Sequence, residues 1–261
     1  MDLELTGKSV LVTAASKGLG KASALQFVKE GANVTIASRS IEQLQQAQAE
    51  ILAATGKQVQ IVEMDVRNFQ QIQAAVRTAA VDNKLDVLVT NAGGPKGGTF
   101  QQMDDADWQA AFELNLLSVI RMIREAIPYM RQAGGGRIVN LTSTSIKQPI
   151  DGLILSSIFR AGVQSLTKSL ASELASDHIL INTVAPGRIA TDRIFELDQL
   201  KADKQQTTLD AIQAAALQHI PLGRMGEPEE FAKIVVFYGS FANSYVTGQS
   251  VLVDGGMVKA L

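Results

Sequence analysis

The stretch "SVLVTAASKGLGKASA" (residues 9–24) decides the fold of this chain. Its first five residues, 9–13, form a short apolar and β-branched run, which is typical of a strand buried on both faces of a parallel sheet. A glycine-containing turn follows, and the amphipathic pattern over 18–30 then predicts a helix. A strand that passes through a glycine turn into a helix indicates the first half of a βαβ unit.

The same alternation of strand and helix continues along the chain. Strands are predicted at 9–13, 33–38, 58–64, 85–90, 136–142, 179–185 and 249–254, and helices between them at 18–30, 41–55, 69–82, 104–132, 156–176 and 227–241. Parallel strands joined through helices require right-handed crossovers. We therefore predict an α/β fold: a doubly wound, seven-stranded parallel sheet with helices on both faces.

No linker, internal repeat or low-complexity segment divides the sequence, so we expect a single domain over 1–261. The segment 187–226, between the sixth and seventh strands, is polar and poorly periodic. Ligands of open parallel sheets bind outside the carboxyl ends of the strands. We therefore expect this insertion to cover a site as a lid.

The composition excludes several function classes. Lysine and arginine are scattered and the formal net charge is −2, which does not favour a nucleic-acid partner. No apolar stretch approaches the ~20 residues that span a bilayer, and the first residues do not resemble a signal peptide. The chain has no cysteine and two distant histidines, so we expect no disulfide and no metal site. A cytoplasmic location, without a membrane partner, is the prediction.

The glycine turn after the first strand predicts a dinucleotide site. Gly18 and Gly20 open a helix whose free N–H groups and positive dipole end favour a pyrophosphate. Arg39 ends the second strand, where an NAD enzyme would carry an acidic residue for the ribose, and Lys17 adds a second cation. A guanidinium fork suits a 2′-phosphate, so NADP(H) is predicted over NAD(H). The alternatives are a plain tight turn and two solvated surface charges.

Three motifs together resemble one known family. They are Thr13-Ala14-x-x-x-Gly18-x-Gly20, "TNAGG" (90–94) and "VAPGRIAT" (184–191). The chain is similar over nearly its whole length to the short-chain dehydrogenase/reductase (SDR) family, and most to its 3-oxoacyl-acyl-carrier-protein-reductase-like members. In that family the position of Ala14 is a glycine; if it needs a positive φ, the methyl group costs about 1 kcal/mol.

The resemblance implies a Rossmann-type fold and an NADPH-dependent oxidoreductase of carbonyl and alcohol groups, with a small-molecule or acyl carbonyl substrate. It also implies a homo-oligomer, a tetramer assembled through the helices that match 104–132 and 156–176. Asp65 has an equally plausible reading as a cap of the helix that follows it. By resemblance the cofactor contacts are Thr13, Ala14, Ser16, Lys17, Gly18, Leu19, Gly20, Arg39, Asp65, Val66, Asn91, Ala92, Gly93, Arg160, Pro186, Gly187, Ile189 and Thr191.

The family's catalytic set is an asparagine, a serine, a tyrosine and a lysine. Asn115 in "FELNLLSV" and Ser143 in "IVNLTSTS" match the first two. In the family the tyrosine lies thirteen residues after the serine and the lysine four further on. Here "SSIFRAG" (156–162) places Ser156 and Arg160 at those positions, so the predicted catalytic set is modified.

The modification changes the expected proton chemistry. Ser156 and Arg160 form an i, i+4 pair on one helix face, and the arginine keeps a cation at the site. Serine has a pKa far above the ~10 of tyrosine, and loss of a positioned acid slows catalysis by roughly 10²–10⁴-fold. The proton could come from Lys147, from Asp151 or from water held by Ser143 and Ser156, although both loop charges also suit a solvated surface.

Two functions therefore remain open at this stage: a reductase with a modified catalytic set, and a non-catalytic NADP(H)-binding protein or scaffold subunit. A partly hydrophobic substrate would contact apolar side chains near the site. The candidates are equally suited to the core, and they are Ile150, Leu153, Leu155 and Phe195.

Overall fold

The β-branched runs form the predicted parallel sheet. In the computed structural model, which describes residues 1–260, seven strands pair in the order β3-β2-β1-β4-β5-β6-β7, all in parallel. The strands are β1 (Ser9–Thr13), β2 (Asn33–Ser38), β3 (Gln60–Glu63), β4 (Val87–Thr90), β5 (Gly136–Leu141), β6 (Ile179–Pro186) and β7 (Ser250–Val253). The predicted doubly wound α/β fold is confirmed.

Helices cover both faces of the sheet. They are α1 (Gly18–Lys29), α2 (Ile41–Thr55), α3 (Phe69–Ala79), α4 (Asp105–Phe112), α5 (Ser118–Gln132), α6 (Ile154–Glu173), α7 (Asp192–Gln205), α8 (Leu209–Leu217) and α9 (Pro228–Tyr238). One apolar layer, with Phe27 and Phe231 at its centre, packs α1, α2 and α9 against the sheet, and a second, around Met122 and Ile72, packs α3, α5 and α6 against the other face. Within residues 1–260 no helix is both long and apolar enough to cross a bilayer.

The helix predicted over 104–132 is interrupted. Between α4 and α5 the chain forms one π-helical turn, Glu113–Leu117. Such turns carry an i→i+5 pattern and occur mostly as single bulges inside α-helices, frequently at functional sites. The amphipathic pattern does not reveal this bulge, because the segments on both sides of it keep the apolar period of a helix.

The strand order places a crevice at the centre of the sheet. From β1 the chain winds one way to β2 and β3, and from β4 it winds the other way to β5, β6 and β7. In sheets of this kind ligands bind at the carboxyl ends of the two strands where the winding direction switches. Here those strands are β1 and β4. The first is followed by the glycine turn 14–20, whose last three residues begin α1, and the second by the turn 91–94.

The insertion 187–226 contains two helices, α7 and α8, that the sequence pattern did not predict. Only Asp198 and Ala202 are buried in α7, so its apolar period is weak. The two ends of the insertion are held together: the amide of Ala190 donates to the carbonyl of Gly226 at 2.8 Å, and the amide of Gly226 donates to the carbonyl of Arg188 at 3.0 Å. An ion pair between Arg188 and the buried Asp198 fixes α7 to this neck.

Candidate active site

The amino terminus of α1 is open toward the crevice. Lys17 occupies the N-cap position, but no side chain accepts a hydrogen bond from the first turn of α1. By contrast, Ser40 caps α2 by accepting from the amide of Gln43, and Asn68 caps α3 by accepting from the amide of Gln71. The free N–H groups of α1 and its positive dipole end therefore form an anion site at the switch point of the sheet.

The glycine turn packs tightly under α1. A methyl group built on Gly20 would lie 2.5 Å from the carbonyl oxygen of Ala14 and 2.9 Å from Cα of Ala15, so the helix can seat on the turn only with glycine there. Ala14 has a φ of +46°, in the left-handed region that favours glycine. At Ala14, therefore, an alanine has a backbone conformation that glycine adopts more readily.

Hydrogen bonds join the turn after β1 to the turn after β4. The hydroxyl of Thr13 donates to the carbonyl of Asn91 at 2.8 Å and accepts from the amide of Asn91 at 2.8 Å. Nδ2 of Asn91 donates to the carbonyl of Ala14 at 3.3 Å. The space beside Gly93 is open, with no atom within 4 Å of a methyl group built there. The crevice thus has a fixed floor and free volume above it.

Two cations lie beside the crevice on the side of β2. Arg39 and Lys17 are exposed, and neither forms an ion pair or a side-chain hydrogen bond with any residue in 1–260. At the end of β2, next to Arg39 in the chain, the hydroxyl of Ser38 is buried and has no hydrogen-bond partner. Ser38 was missed by the sequence analysis, which read it only as the end of a strand.

Asp65 and Val66 follow β3, and neither is free to contact a ligand with its whole side chain. The carboxylate of Asp65 pairs with Arg67, 2.7 Å between Oδ2 and Nη2, and this hydrogen bond is the main reason why the pKa of Asp65 lies below its usual value. The helix cap is Asn68, so the alternative reading of Asp65 as that cap is wrong. The side chain of Val66 is buried in the core.

The segment after β6 forms the roof of the crevice. Cγ2 of Thr191, the residue before α7, lies 3.8 Å from a methyl group built on Gly18. A methyl group on Gly187 would lie 2.5 Å from Cβ of Asp254, so the chain passes close to the end of β7 there. Ile189 is 3% exposed and belongs to the core, so its side chain is not available to a ligand.

The remaining residues of the predicted cofactor set lie on the same edge of the sheet but contribute little side-chain polarity. Ser16 donates to Oε1 of Gln43 at 3.3 Å. The other members either pack against the core or end a strand, and they are Leu19, Ala92 and Pro186.

Asn115 lies in the π turn and supports the turn after β4. Its side chain is buried, and Nδ2 donates to the carbonyl of Gly93 at 2.9 Å. Oδ1 is also buried and has no hydrogen-bond partner. The bulge therefore holds the open glycine in place and directs an unused acceptor into the interior.

Ser143 follows β5 and begins a short 3₁₀ turn. Its hydroxyl oxygen accepts from the amide of Ser145 at 3.2 Å, which fixes the oxygen while leaving the hydroxyl proton available. The hydroxyls of Thr142 and Ser145 beside it are buried without partners. These two hydroxyls were not predicted from the sequence, where they read as ordinary loop residues.

Arg160 links Ser156 to the end of β5. Its Nε donates to Oγ of Ser156 at 3.2 Å, and its Nη1 donates to the carbonyls of Leu141 at 3.2 Å and Thr142 at 2.9 Å. Burial lowers the pKa of the Arg160 guanidinium to about 10, so it is still a cation at neutral pH. The structure thus brings the 156/160 pair to the backbone immediately before Ser143.

Other ionisable and apolar candidates lie outside this arrangement. Lys147 and Asp151 are exposed and form no ion pair within residues 1–260. Leu155 is 1% exposed and belongs to the core, whereas Ile150 and Phe195 are 37% and 42% exposed. Over the described range 1–260, no group of three His, Cys, Asp or Glu side chains could hold a metal ion.

A seven-stranded doubly wound sheet, with an uncapped helix at its switch point and a glycine turn beneath it, defines a dinucleotide-binding protein of the Rossmann type. Comparison with known proteins narrows the class. The family described as enoyl-(acyl carrier protein) reductase matches residues 13–258. The 3-oxoacyl-(acyl-carrier-protein) reductase of Thermotoga maritima is 37% identical over 257 residues, which are 98% of this chain and 100% of that protein.

The corresponding reductase of Chlamydia pneumoniae is 35% identical over 258 residues, 98% of this chain and 99% of the relative. Among solved structures, L-sorbose reductase from Gluconobacter frateurii, complexed with NADPH and L-sorbose, superposes with a TM-score of 0.94 at 30% identity, covering 100% of both chains. The chain belongs to the short-chain dehydrogenase/reductase family, as its motifs predicted. It is an NAD(P)-dependent oxidoreductase.

Proposed function

We propose that this chain is an NADPH-dependent reductase of carbonyl groups, with 3-oxoacyl or related compounds as its substrate class. Asn115, Ser143, Ser156 and Arg160 form its modified catalytic set, with Ser-x-x-x-Arg at the positions of the family's Tyr-x-x-x-Lys. The observation that carries the proposal is the hydrogen-bonded link from Ser156 through Arg160 to the strand end before Ser143. The names of the relatives support the substrate class.

The crevice fits a phosphorylated dinucleotide. The uncapped start of α1 suits the pyrophosphate. The exposed cations Arg39 and Lys17 suit a 2′-phosphate, because neither is paired within residues 1–260, and the hydroxyl of Ser38, next to Arg39 in the chain, is also an unused donor. When bound, a reduced nicotinamide supplies a hydride to the carbonyl carbon of the substrate. Asn91 and Thr191 hold the floor and the roof of the space it occupies.

Two hydroxyls are arranged to polarise the substrate oxygen. Oγ of Ser156 accepts from Arg160, and Oγ of Ser143 accepts from the amide of Ser145, so each oxygen is held by a fixed donor. Each hydroxyl proton is then free to be donated to a carbonyl oxygen, and fixed donors aimed at a developing oxyanion lower its energy. The cation of Arg160 beside Ser156 adds to this stabilisation.

Water supplies the proton in this proposal. Arginine does not give up its proton at neutral pH, and serine is a weak general acid. Lys147 and Asp151 lie exposed in the loop, and the hydrogen-bond partners of the two hydroxyls are Ser145 and Arg160 instead. We therefore expect turnover roughly 10²–10⁴-fold below that of a site with a positioned acid.

The chain is proposed to act as a single domain over 1–261, with the lid at about 187–226, as a homo-oligomer in the cytoplasm. Support for assembly comes from α6, one of the two helices of the predicted interface, where the apolar side chain of Ile158 is 49% exposed. Light scattering of the purified protein tests the tetramer; a monomer at micromolar concentration would contradict it.

Cofactor choice is tested by fluorescence titration with NADPH and NADH. The native protein should prefer NADPH by about 10-fold or more, since a charge-assisted contact to the 2′-phosphate is absent with NADH. Arg39→Ala should bring the two dissociation constants close together. The control is Arg77→Ala, an exposed arginine in the last turn of α3, on the side where the chain enters β4 and not at the carboxyl end of a strand. Equal or tighter binding of NADH by the native protein would remove the role given to Arg39.

Turnover is tested by NADPH absorbance with a panel of 3-oxoacyl thioesters, ketoses and simple diketones. Slow reduction that falls further in Ser143→Ala and Ser156→Ala supports the reductase. Tight NADPH binding without turnover of any carbonyl would favour the non-catalytic cofactor-binding protein or scaffold subunit. The double variant Ser156→Tyr with Arg160→Lys should raise turnover if only the acid is missing.

A further inference from the structure

Residues 191–193 of the lid span the switch-point crevice from one turn to the other. Thr191 lies over the turn after β1, with Cγ2 3.8 Å from a methyl group built on Gly18. Two residues further on, Nη2 of Arg193 lies 3.3 Å and Nε 3.7 Å from a methyl group built on Gly94, in the turn after β4. The guanidinium of Arg193 therefore lies against the turn after β4, while Thr191 lies next to the start of α1.

The residues around Arg193 do not explain why a positive charge lies there. Arg193 lies in the first turn of α7, where the helix dipole disfavours a cation. Within residues 1–260 its ion-pair partner is Glu196, at 3.7 Å, and both side chains are about half exposed. Pairs of this kind contribute little to stability. A negatively charged group in the crevice would satisfy the guanidinium better than the chain does.

The neck of the lid keeps Arg193 close to the sheet. The backbone bridge between Ile189 and Gly226 and the ion pair between Arg188 and Asp198 hold both sides of the first turn of α7. Only the side chain of Arg193 needs to move to change partner from Glu196 to a ligand. Arginine suits this exchange because its fork can engage two anionic oxygens at once.

We propose that Arg193 binds a phosphate oxygen of the bound dinucleotide and so fastens the lid over the cofactor. This rests on the proposed function, because it requires a dinucleotide at the switch point. The bridging phosphates are common to NADPH and NADH, whereas Arg39 faces the group that only NADPH carries. Arg193 and Arg39 therefore contact different phosphate groups of the same ligand.

The test compares Arg193→Gln with Lys201→Gln, which removes the same charge from an exposed position two turns along α7. Dissociation constants for NADPH and NADH are measured by fluorescence titration. Arg193→Gln should weaken both by about 10-fold, which is ~1.4 kcal/mol of binding free energy, and leave their ratio unchanged. Arg193→Lys should recover part of the loss, and Lys201→Gln should change neither constant by more than about two-fold.

A second readout separates binding from folding. Without cofactor, Arg193→Gln should melt at the same temperature as the native protein, and the rise in Tm on adding NADPH should be smaller. Both dissociation constants within two-fold of native would overturn the proposal. A second outcome would also overturn it: Arg193→Gln leaves both dissociation constants unchanged but raises the KM for acidic carbonyl substrates and not for neutral ones. Arg193 would then bind the anionic group of the substrate and not a phosphate of the cofactor. If the native protein binds NADPH and NADH equally well, the role proposed for Arg39 is contradicted, whereas the role proposed for Arg193 is not.

Discussion

The left-handed alanine in the cofactor turn gives a prediction about stability. Ala14 has a φ of +46°, and an L-residue in that region costs roughly 1–2 kcal/mol relative to glycine. Glycine adds about 0.4–1 kcal/mol of unfolded-state entropy, which opposes the gain. Ala14→Gly should therefore raise the free energy of unfolding by about 0.5–1 kcal/mol, and Tm by ~1–4 °C at this chain length.

The assay is thermal and urea unfolding, followed by circular dichroism, with Ala15→Gly as the matched control. Ala15 is fully buried and has no positive φ, so the same substitution there should destabilise the protein by at least ~0.5 kcal/mol. Opposite signs for the two neighbouring variants are the expected result. If Ala14→Gly lowers Tm as much as Ala15→Gly does, the turn carries no strain and the reasoning fails.

Three further changes have defined outcomes. Ser156→Ala removes the acceptor of the Arg160 Nε, and because a largely buried charged donor then lacks its partner, urea titration should show a loss of about 1–3 kcal/mol. His178→Gly should raise Tm slightly, since His178 is exposed and has a φ of +56°, a conformation that glycine adopts without strain. Glu230→Gln tests how the stability of the protein depends on pH. Hydrogen bonds from Arg224 lower the pKa of Glu230 from 4.5 to about 2, so its stabilisation is present above the unfolded value and is lost as the pH falls through the folded one. The Tm difference between native protein and Glu230→Gln should therefore shrink from about pH 5 to about pH 2; a difference that is constant over this range would contradict the assignment.

The strands could be predicted because each central one is buried on both faces and reads as a continuous apolar run. Three strands were predicted too long by two or more residues: the two edge strands, 58–64 against Gln60–Glu63 and 249–254 against Ser250–Val253, and the central strand β4, 85–90 against Val87–Thr90. Each edge strand has one neighbour, so only the residues that pair with β2 or with β6 adopt strand structure. The apolar pattern of one strand does not show where the strand that pairs with it ends.

Other features depend on contacts between distant segments. The sequence placed Asn115, Ser143, Ser156 and Arg160 at the carboxyl edge of the sheet, and the structure shows which groups they contact. That Arg160 donates to the carbonyls at the end of β5 could not be predicted, because it depends on how far α6 lies from that strand. The left-handed φ at one alanine and the path of the lid across the crevice follow from tertiary packing in the same way.

The geometry of the guanidinium explains how arginine can serve at position 160. Nε and Nη1 are used by Ser156 and by the end of β5, while Nη2 has no hydrogen-bond partner within residues 1–260. A planar fork can hold the strand end with one arm and keep the other for a ligand, whereas the single ammonium of lysine would have to divide its donors. The proposed cofactor contacts on β1, β2 and β4 share none of these hydrogen bonds. Within the proposed catalytic set, Asn115 supports the turn after β4 through Gly93, and Arg160 keeps Nη2 for a ligand. The hydroxyl of Ser156 is hydrogen-bonded to Arg160, so a change at 156 is expected to alter turnover while the turns after β1 and β4 are preserved.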